Sequence, residues 1–162
     1  MAAYTNISQR AKNTAIINAA SQSLKMINAY IAQTGEYPLK TWACITTESG
    51  CATGSAMPSN ASFDADMATV GVLPKSVPVE GAAMFGVTYV YNDAHMVDEM
   101  RRPAYLEYYL FGTNQSCGVP GVMLWMANST YRTTSATGRT SGSVDSDKKT
   151  LCRVVIPGPV PS

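Results

Sequence analysis

The chain has 162 residues, a formal net charge of +1 and only 14% charged residues. This length predicts a single compact domain over residues 1–162 with room for a sizeable core. The near-neutral charge argues against a dedicated nucleic-acid-binding protein, which usually presents a strongly basic face. The low charged fraction favours an extracellular protein that forms assemblies over a cytosolic protein.

The first segment has the pattern of a long amphipathic helix. Its large apolar side chains recur at steps of three and four and are expected to form the spine on which the domain packs: Ile17, Leu24, Ile27 and Ile31, with Ala20 between them and with Ile16, Met26 and Tyr30 on one flank. Gly35 suits a left-handed C-cap, and Pro38 opposes further helix. The helix is therefore predicted to end near Thr34, and the spine is assigned to residues 1–34.

The opposite face of this helix is polar. We expect its side chains to face water or neighbouring subunits: Lys12, Asn13, Gln22, Lys25 and Asn28.

Residues 35–80 are interpreted as a connector that contains one short helix. The stretch from Leu39 to Pro58 is typical of a loop. The stretch "SNASFDADMATVGVLP" predicts a helix that Asn60 or Ser62 caps. Its apolar face is formed by Phe63, Met67 and Val70.

The four cysteines, Cys44, Cys51, Cys117 and Cys152, form no CxxC motif, and the only histidine, His95, lies far from them in the sequence. This spacing disfavours a zinc site. An even number of cysteines in a chain rich in Ser and Thr predicts two disulfide bonds and an oxidising compartment. Three connectivities are possible; sequence proximity favours Cys44–Cys51, which leaves Cys117–Cys152. Free thiols in a cytosolic protein are the alternative.

The remaining residues, 81–162, are predicted to form an antiparallel sheet of about four strands and a C-terminal disulfide loop. The strand candidates are rich in Val, Tyr and Leu: Phe85–Asn92, Ala104–Gly112, Gly121–Asn128 and Leu151–Pro157. Long polar loops are predicted at residues 93–103 and 129–150. Because the helices precede the strands, the fold class is α+β, with the long N-terminal helix packed on the sheet.

The first helix resembles the C-terminal half of the first helix of type IV pilins, the subunits of bacterial pili. The family pattern of a helix followed by a "G.YP" turn is matched by Arg10, Ala11, Ala15, Ala19, Leu24, Ile27, Tyr30, Gly35, Tyr37 and Pro38. The short helix that ends at Leu73–Pro74 resembles the segment before the pilin sheet. The stretches "YYLFGTNQSCGVPG" and "CRVVIPG" resemble the closing strands, where a last disulfide holds the C-terminal loop.

The resemblance implies a pilin-like fold and a structural role. A pilin precursor carries a leader and a very apolar stretch of about twenty residues before this helix, and that stretch anchors the subunit in the membrane before assembly. We therefore expect this chain to be the soluble headgroup, without the N-terminal half of the first helix.

The implied partners are other pilin subunits in a homopolymer filament and the pilus assembly machinery. The implied location is the cell-surface pilus, which serves attachment, twitching motility and DNA uptake. A pseudopilin of a type II secretion system, and a minor pilin that binds DNA or a surface, remain as alternatives.

The chain shows no convincing catalytic or cofactor motif. His95 lies between Asp93 and Asp98, but no GxSxG marks a nucleophile, so we expect an exposed loop histidine and no enzyme activity. Asp145 and Asp147 are poor calcium ligands because two lysines follow them directly. No cofactor or metal site is predicted.

One basic stretch is a candidate contact for DNA or a surface. It comprises Arg132, Arg139, Lys148, Lys149 and Arg153, with Tyr131 among them. Such a combination can hold phosphates and stack bases. A solubilising loop, or a patch that meets acidic residues of a neighbouring subunit, is the alternative.

Overall fold

The computed structural model describes residues 2–47, 50–51, 58–75, 86–134, 143–144 and 149–159. The first helix, α1 (Ala2–Thr34), has 33 residues and is about 50 Å long, since each residue adds about 1.5 Å. It ends at Thr34, as predicted. Gly35 adopts a φ of 74°, and its amide donates to the carbonyl oxygen of Ile31 at 2.8 Å.

The face of α1 that packs on the domain is rotated from the centre of the predicted stripe toward its flank, where Ile16 and Met26 are buried. Ile27 and Ile31 are buried, whereas Ile17 and Leu24 are half-buried at the edge of the core. From Ile7 onward, where the side chains of this helix are described, the buried ones are Asn13, Ile16, Ala19, Ala20, Ser23, Met26, Ile27 and Ile31. The assignment of Asn13 to the solvent-facing side is therefore wrong. Its side chain is buried because it forms two hydrogen bonds with the backbone of Phe111.

The short helix α2 (Ala61–Ala68) forms as predicted. The side-chain oxygen of Asn60 accepts hydrogen bonds from the amides of Ser62 and Phe63, which satisfies two free donors of the first turn. Phe63 and Met67 are fully buried against the sheet side of α1.

Nine strands lie within the described residues. They are β1 (Ala43–Cys44), β2 (Val87–Tyr91), β3 (Met96–Val97), β4 (Met100–Arg101), β5 (Ala104–Phe111), β6 (Met123–Ala127), β7 (Thr130–Thr133), β8 (Ser143–Val144) and β9 (Lys149–Val155). The main sheet has the order β1-β2-β5-β9-β8, and all its neighbouring pairs are antiparallel. The prediction of an α+β fold with an N-terminal helix and an antiparallel sheet is confirmed.

A second sheet, with the order β4-β3-β7-β6, was not expected from the sequence. Its strand β6 was predicted as part of the one sheet, whereas β3, β4 and β7 fall in the stretches 93–103 and 129–150 that were predicted as loops. Strands β3 and β4 have only two residues each, which is too short for any alternation to show.

The two faces of the main sheet have different coverings. The face toward α1 and α2 carries the main core, which includes Tyr89, Leu106, Tyr108 and Val154. The opposite face, here called the outer face, packs partly against the second sheet through a small cluster: Val90, Val97, Tyr105, Met123 and Tyr131.

Candidate functional surfaces

The side of α1 that points away from the sheet is an uninterrupted exposed stripe. We call it the outer helix face; it consists of Ile7, Ala11, Thr14, Asn18, Gln22, Lys25, Ala29 and Ala32. Lys25 is its only charged member. Small and uncharged side chains let another helix approach closely, to an axial distance of about 8–10 Å. This face can therefore pack against a further helix with little charge to desolvate.

The N-terminal part of α1 makes little contact with the domain. Ile7 is 68% exposed, and Asn13 is the first buried side chain among those the structure describes in this helix. The helix therefore extends beyond the sheet by several residues. A helix of this kind gains its stability from its packed C-terminal part and leaves its other end available for contacts.

Asn13 fixes the helix to the centre of the sheet. Its Nδ2 donates to the carbonyl oxygen of Phe111 at 2.9 Å, and its Oδ1 accepts from the amide of Phe111 at 2.8 Å. Phe111 is the last residue of β5, which is the central strand of the main sheet. Sequence reasoning missed this role, although the spacing from Asn13 to Ile16 and Ala20 is helical and could have placed it on the buried face.

Two disulfide bonds hold the sheet side of the domain. Cys44–Cys51 links β1 to the residues that follow it, and Cys117–Cys152 links the loop after β5 to the middle of β9. All four cysteines are buried, and the hydroxyl of Tyr108 donates to the carbonyl oxygen of Cys117 at 2.6 Å. Such bonds are typical of proteins outside the cell or in the periplasm.

The predicted basic patch is not assembled from the residues that the structure describes. Arg132 is exposed on β7, but Lys149 is buried with its Nζ 5.0 Å from the ring centre of Phe111. Arg153 forms an ion pair with Glu107, with 2.8 Å between Nε and Oε2. Arg139 and Lys148 lie outside the described residues.

His95 is buried rather than exposed, which corrects the sequence prediction. Its side chain is 5% exposed and lies between the rings of Tyr105 and Tyr131, at centroid distances of 5.0 and 5.4 Å. Its Nδ1 lies 3.2 Å from the carbonyl oxygen of Pro103 and donates to it in the tautomer that carries the proton on Nδ1. Burial lowers the pKa of His95, although the bond to Pro103 opposes this shift.

An ion pair between the buried Glu107 and the half-buried Arg153 also lies on the outer face of the main sheet, and the charge of Arg153 acts on His95. Glu107 is 6% exposed and accepts hydrogen bonds from Arg153 and from the hydroxyl of Tyr109. Burial, with the charge of Glu107 as a smaller cause, raises the pKa of Tyr105 well above its usual value, so this phenol stays neutral. The outer face is therefore held by directional bonds and ring contacts in addition to apolar packing.

Neither a metal centre nor a membrane-crossing helix occurs in the described part of the chain. Within it, no three His, Cys, Asp or Glu side chains are grouped to hold a metal ion, and no helix is long and apolar enough to cross a bilayer. Asp145 and Asp147, the weak calcium candidates, lie outside the described residues.

Comparisons with protein-family models, with curated proteins and with solved structures find no match to this chain. Its function must therefore be argued from its own residues and geometry.

Proposed function

We propose that the chain is the globular head of a type IV pilin, a structural subunit of an extracellular filament. The stretch from Arg10 to Pro38 supports this proposal, because it combines the helix pattern of that family with the "GEYP" turn after the helix. The subunit acts by assembly and carries out no reaction.

The proposal rests on the different environments of the two sides of α1. One side of the helix is buried on the antiparallel sheet, while the outer helix face stays exposed along about 37 Å from Ile7 to Ala32. In a filament, this exposed face would pack against the helices of neighbouring subunits. The inner face, with Asn13 and Ile27, keeps each head attached to its own helix.

The two disulfide bonds suit a subunit that works outside the cell. Cys117–Cys152 joins the loop after β5 to the last strand, as the resemblance to pilins implies. Cross-links of this kind stabilise a small head in an oxidising compartment, where disulfide bonds persist.

The partners under this proposal are other copies of the same chain and the pilus assembly machinery, with a membrane-anchored form before assembly. The filament would serve attachment, twitching motility and DNA uptake. The alternatives have less support. A pseudopilin with calcium would need Asp145 and Asp147, which the structure does not describe. A DNA-binding minor pilin would need the basic patch, of whose described members Arg132 alone is exposed.

A direct test uses cells that naturally carry the gene. Antibodies raised against this chain should label surface filaments in electron micrographs, and the chain should appear in filaments sheared from the cells. Deletion of the gene should remove the labelled filaments. Recovery of the chain only as a soluble monomer, with unchanged filaments in the deletion strain, would contradict the proposal.

The outer helix face makes the test specific. Ala11→Asp places a charge in the proposed contact, where a buried unpaired carboxylate costs several kcal/mol, so filament yield should fall by about tenfold or more. Ala127→Asp is the matched control, because Ala127 is exposed on β6 in the second sheet and should tolerate the same charge. Equal yields from the two variants, with both heads folded, would count against assembly through this face.

A further inference from the structure

A cleft lies at the end of the domain where four separate chain segments meet. Its volume is about 640 Å³, within the range of about 300–1,000 Å³ that is usual for small-molecule sites. The side chains that give it chemical character are Tyr37, Lys40, Tyr91, Asp93, Arg101 and Arg102. The first two lie in the segment after α1, the next two at and just after the end of β2, and the two arginines at the end of β4 and directly after it. Gly158, in the segment after β9, completes the lining.

The cleft carries an excess of positive charge. Among the described residues that line it, the only carboxylate is Asp93, which is paired with Arg101, with 2.6 Å between Oδ1 and Nη2. Lys40 and Arg102 form no ion pair within the described residues. Two cations therefore remain to meet an anionic group, and a guanidinium matches the geometry of a carboxylate or a phosphate.

Arg102 and Tyr37 converge on one point, beside Gly158. A Cβ atom added to Gly158 would lie 2.6 Å from the hydroxyl oxygen of Tyr37 and 3.6 Å from Nη1 of Arg102. Because position 158 has no side chain, the Tyr37 hydroxyl can lie directly against the backbone there, with the Arg102 guanidinium beside it. The Tyr37 hydroxyl forms no hydrogen bond within the described part of the chain, and burial raises its pKa, so it is a neutral donor at the wall of the cleft.

The aromatic wall of the cleft is held in place. The rings of Tyr37 and Tyr91 meet edge to face, with centroids 5.5 Å apart and planes at 70°. The Tyr91 hydroxyl donates to Asp93 at 2.8 Å, so both its ring and the paired carboxylate are oriented before any ligand arrives. Ring faces carry a negative quadrupole and suit the C–H groups of a compact ring-shaped ligand.

We propose that this cleft binds a small sugar that carries a carboxylate or a phosphate group. Arg102 and Lys40 hold the anionic group, the Tyr37 hydroxyl donates a hydrogen bond to it, and the body of the sugar packs against the tyrosine rings. The inference does not depend on filament assembly, because every residue involved belongs to the isolated head.

The test is a titration of the isotope-labelled chain, followed by amide chemical shifts, with three probes at low ionic strength. Glucuronate supplies a carboxylate, glucose 6-phosphate supplies a phosphate, and glucose is the matched neutral sugar. We expect saturable shifts at residues 37, 39–40, 91–93, 100–102 and 158 with one or both anions and none with glucose. The anion that saturates at the lower concentration identifies the preferred group.

Two cation variants locate the site. Arg102→Gln should weaken binding of the preferred anion by about tenfold, because it removes a charge-assisted contact. Arg132→Gln removes an exposed cation that does not line the cleft and should leave binding unchanged. Should Arg102→Gln fail to fold, Lys40→Gln at an exposed position serves instead. Saturable binding of glucose equal to that of the anions, no saturable shifts with either anion, or equal loss in Arg132→Gln would overturn the proposal.

Discussion

The two faces of the main sheet are buried by different kinds of side chain. Toward α1 and α2, the strands present an apolar core in which Leu106, Leu110 and Val154 are fully buried. On the outer face, the buried side chains include Thr88, His95 and Glu107 beside a small aromatic cluster. One face is therefore stabilised chiefly by apolar area, and the other depends more on directional hydrogen bonds.

This difference predicts where the domain is robust and where it can respond to its surroundings. Apolar burial is non-directional and contributes about 1.5–3 kcal/mol for each large side chain. A buried polar group contributes little net stability when it is bonded but costs about 1–3 kcal/mol when its partner is lost. We therefore expect the helix side to set the global free energy of unfolding. The outer face should control whether the second sheet stays docked.

The largest expected effect concerns the two disulfide bonds, of which Cys117–Cys152 lies in the helix-side core. Replacing Cys117 and Cys152 together with alanine should lower the free energy of unfolding by about 4 kcal/mol, and replacing Cys44 and Cys51 by about 2.5 kcal/mol. The difference arises because the two bonds span sequence separations of 35 and 7. Each double variant loses the same atoms, so the difference between their free energies of unfolding reports the effect of loop length. Urea denaturation measures these free energies, and an equal or reversed order would refute the loop-length explanation.

A smaller effect is expected at Asn13, the polar residue that joins the helix to β5. Asn13→Ala leaves the amide and carbonyl of Phe111 without their side-chain partner and should destabilise the domain by about 2 kcal/mol. The control is Asn18→Ala, at an exposed position on the same helix, which should change stability by less than about 0.5 kcal/mol. If thermal denaturation showed the same loss of stability in both variants, the loss would come from the change in helix propensity, and the Asn13 hydrogen bonds would contribute nothing.

The helix side of this molecule follows local rules, and so it could be predicted from the sequence. Gly35 ends α1, Asn60 caps α2, and the long strand β5 shows its apolar content directly. The rotation of the helix face was missed because Asn13 is polar by type, and its burial depends on a strand nearly a hundred residues away.

The outer face and the cleft depend on contacts that no local pattern encodes. Strand β3 pairs in parallel with β7, more than thirty residues later, and His95 is buried only because both segments meet over Tyr105. The cleft likewise lies where four segments meet. From the sequence alone, its arginines would be predicted to be ordinary exposed charges. Such arrangements follow from topology, which single-sequence patterns specify weakly.

The smallest expected effect is a pH response confined to the outer face. The ordinary pKa of histidine is about 6.5, and burial lowers the pKa of His95 in the folded state. Between the folded pKa and the unfolded pKa, the unfolded chain binds more protons than the folded chain. The contribution of His95 to the free energy of unfolding should therefore be constant above about pH 6.5 and should decrease as the pH falls below it. The slope is at most about 1.4 kcal/mol per pH unit for one group. The rings of Tyr105 and Tyr131 face the imidazole, the charge of Arg153 acts on it, and Glu107 is paired with Arg153. His95 is the only histidine of the chain.

Amide hydrogen exchange can separate the two faces in this experiment. Lowering the pH from about 7 to about 5.5 should reduce protection in β3 and β7 before it reduces protection in β5, after correction for the intrinsic exchange rate. His95→Asn retains a side-chain donor for the Pro103 carbonyl but cannot be protonated in this range, so its protection should not depend on pH. If the variant kept the pH response, His95 would not be its source. If β5 lost protection together with β3 and β7, the two faces would unfold as one unit, and the distinction between a robust side and a responsive side would fail.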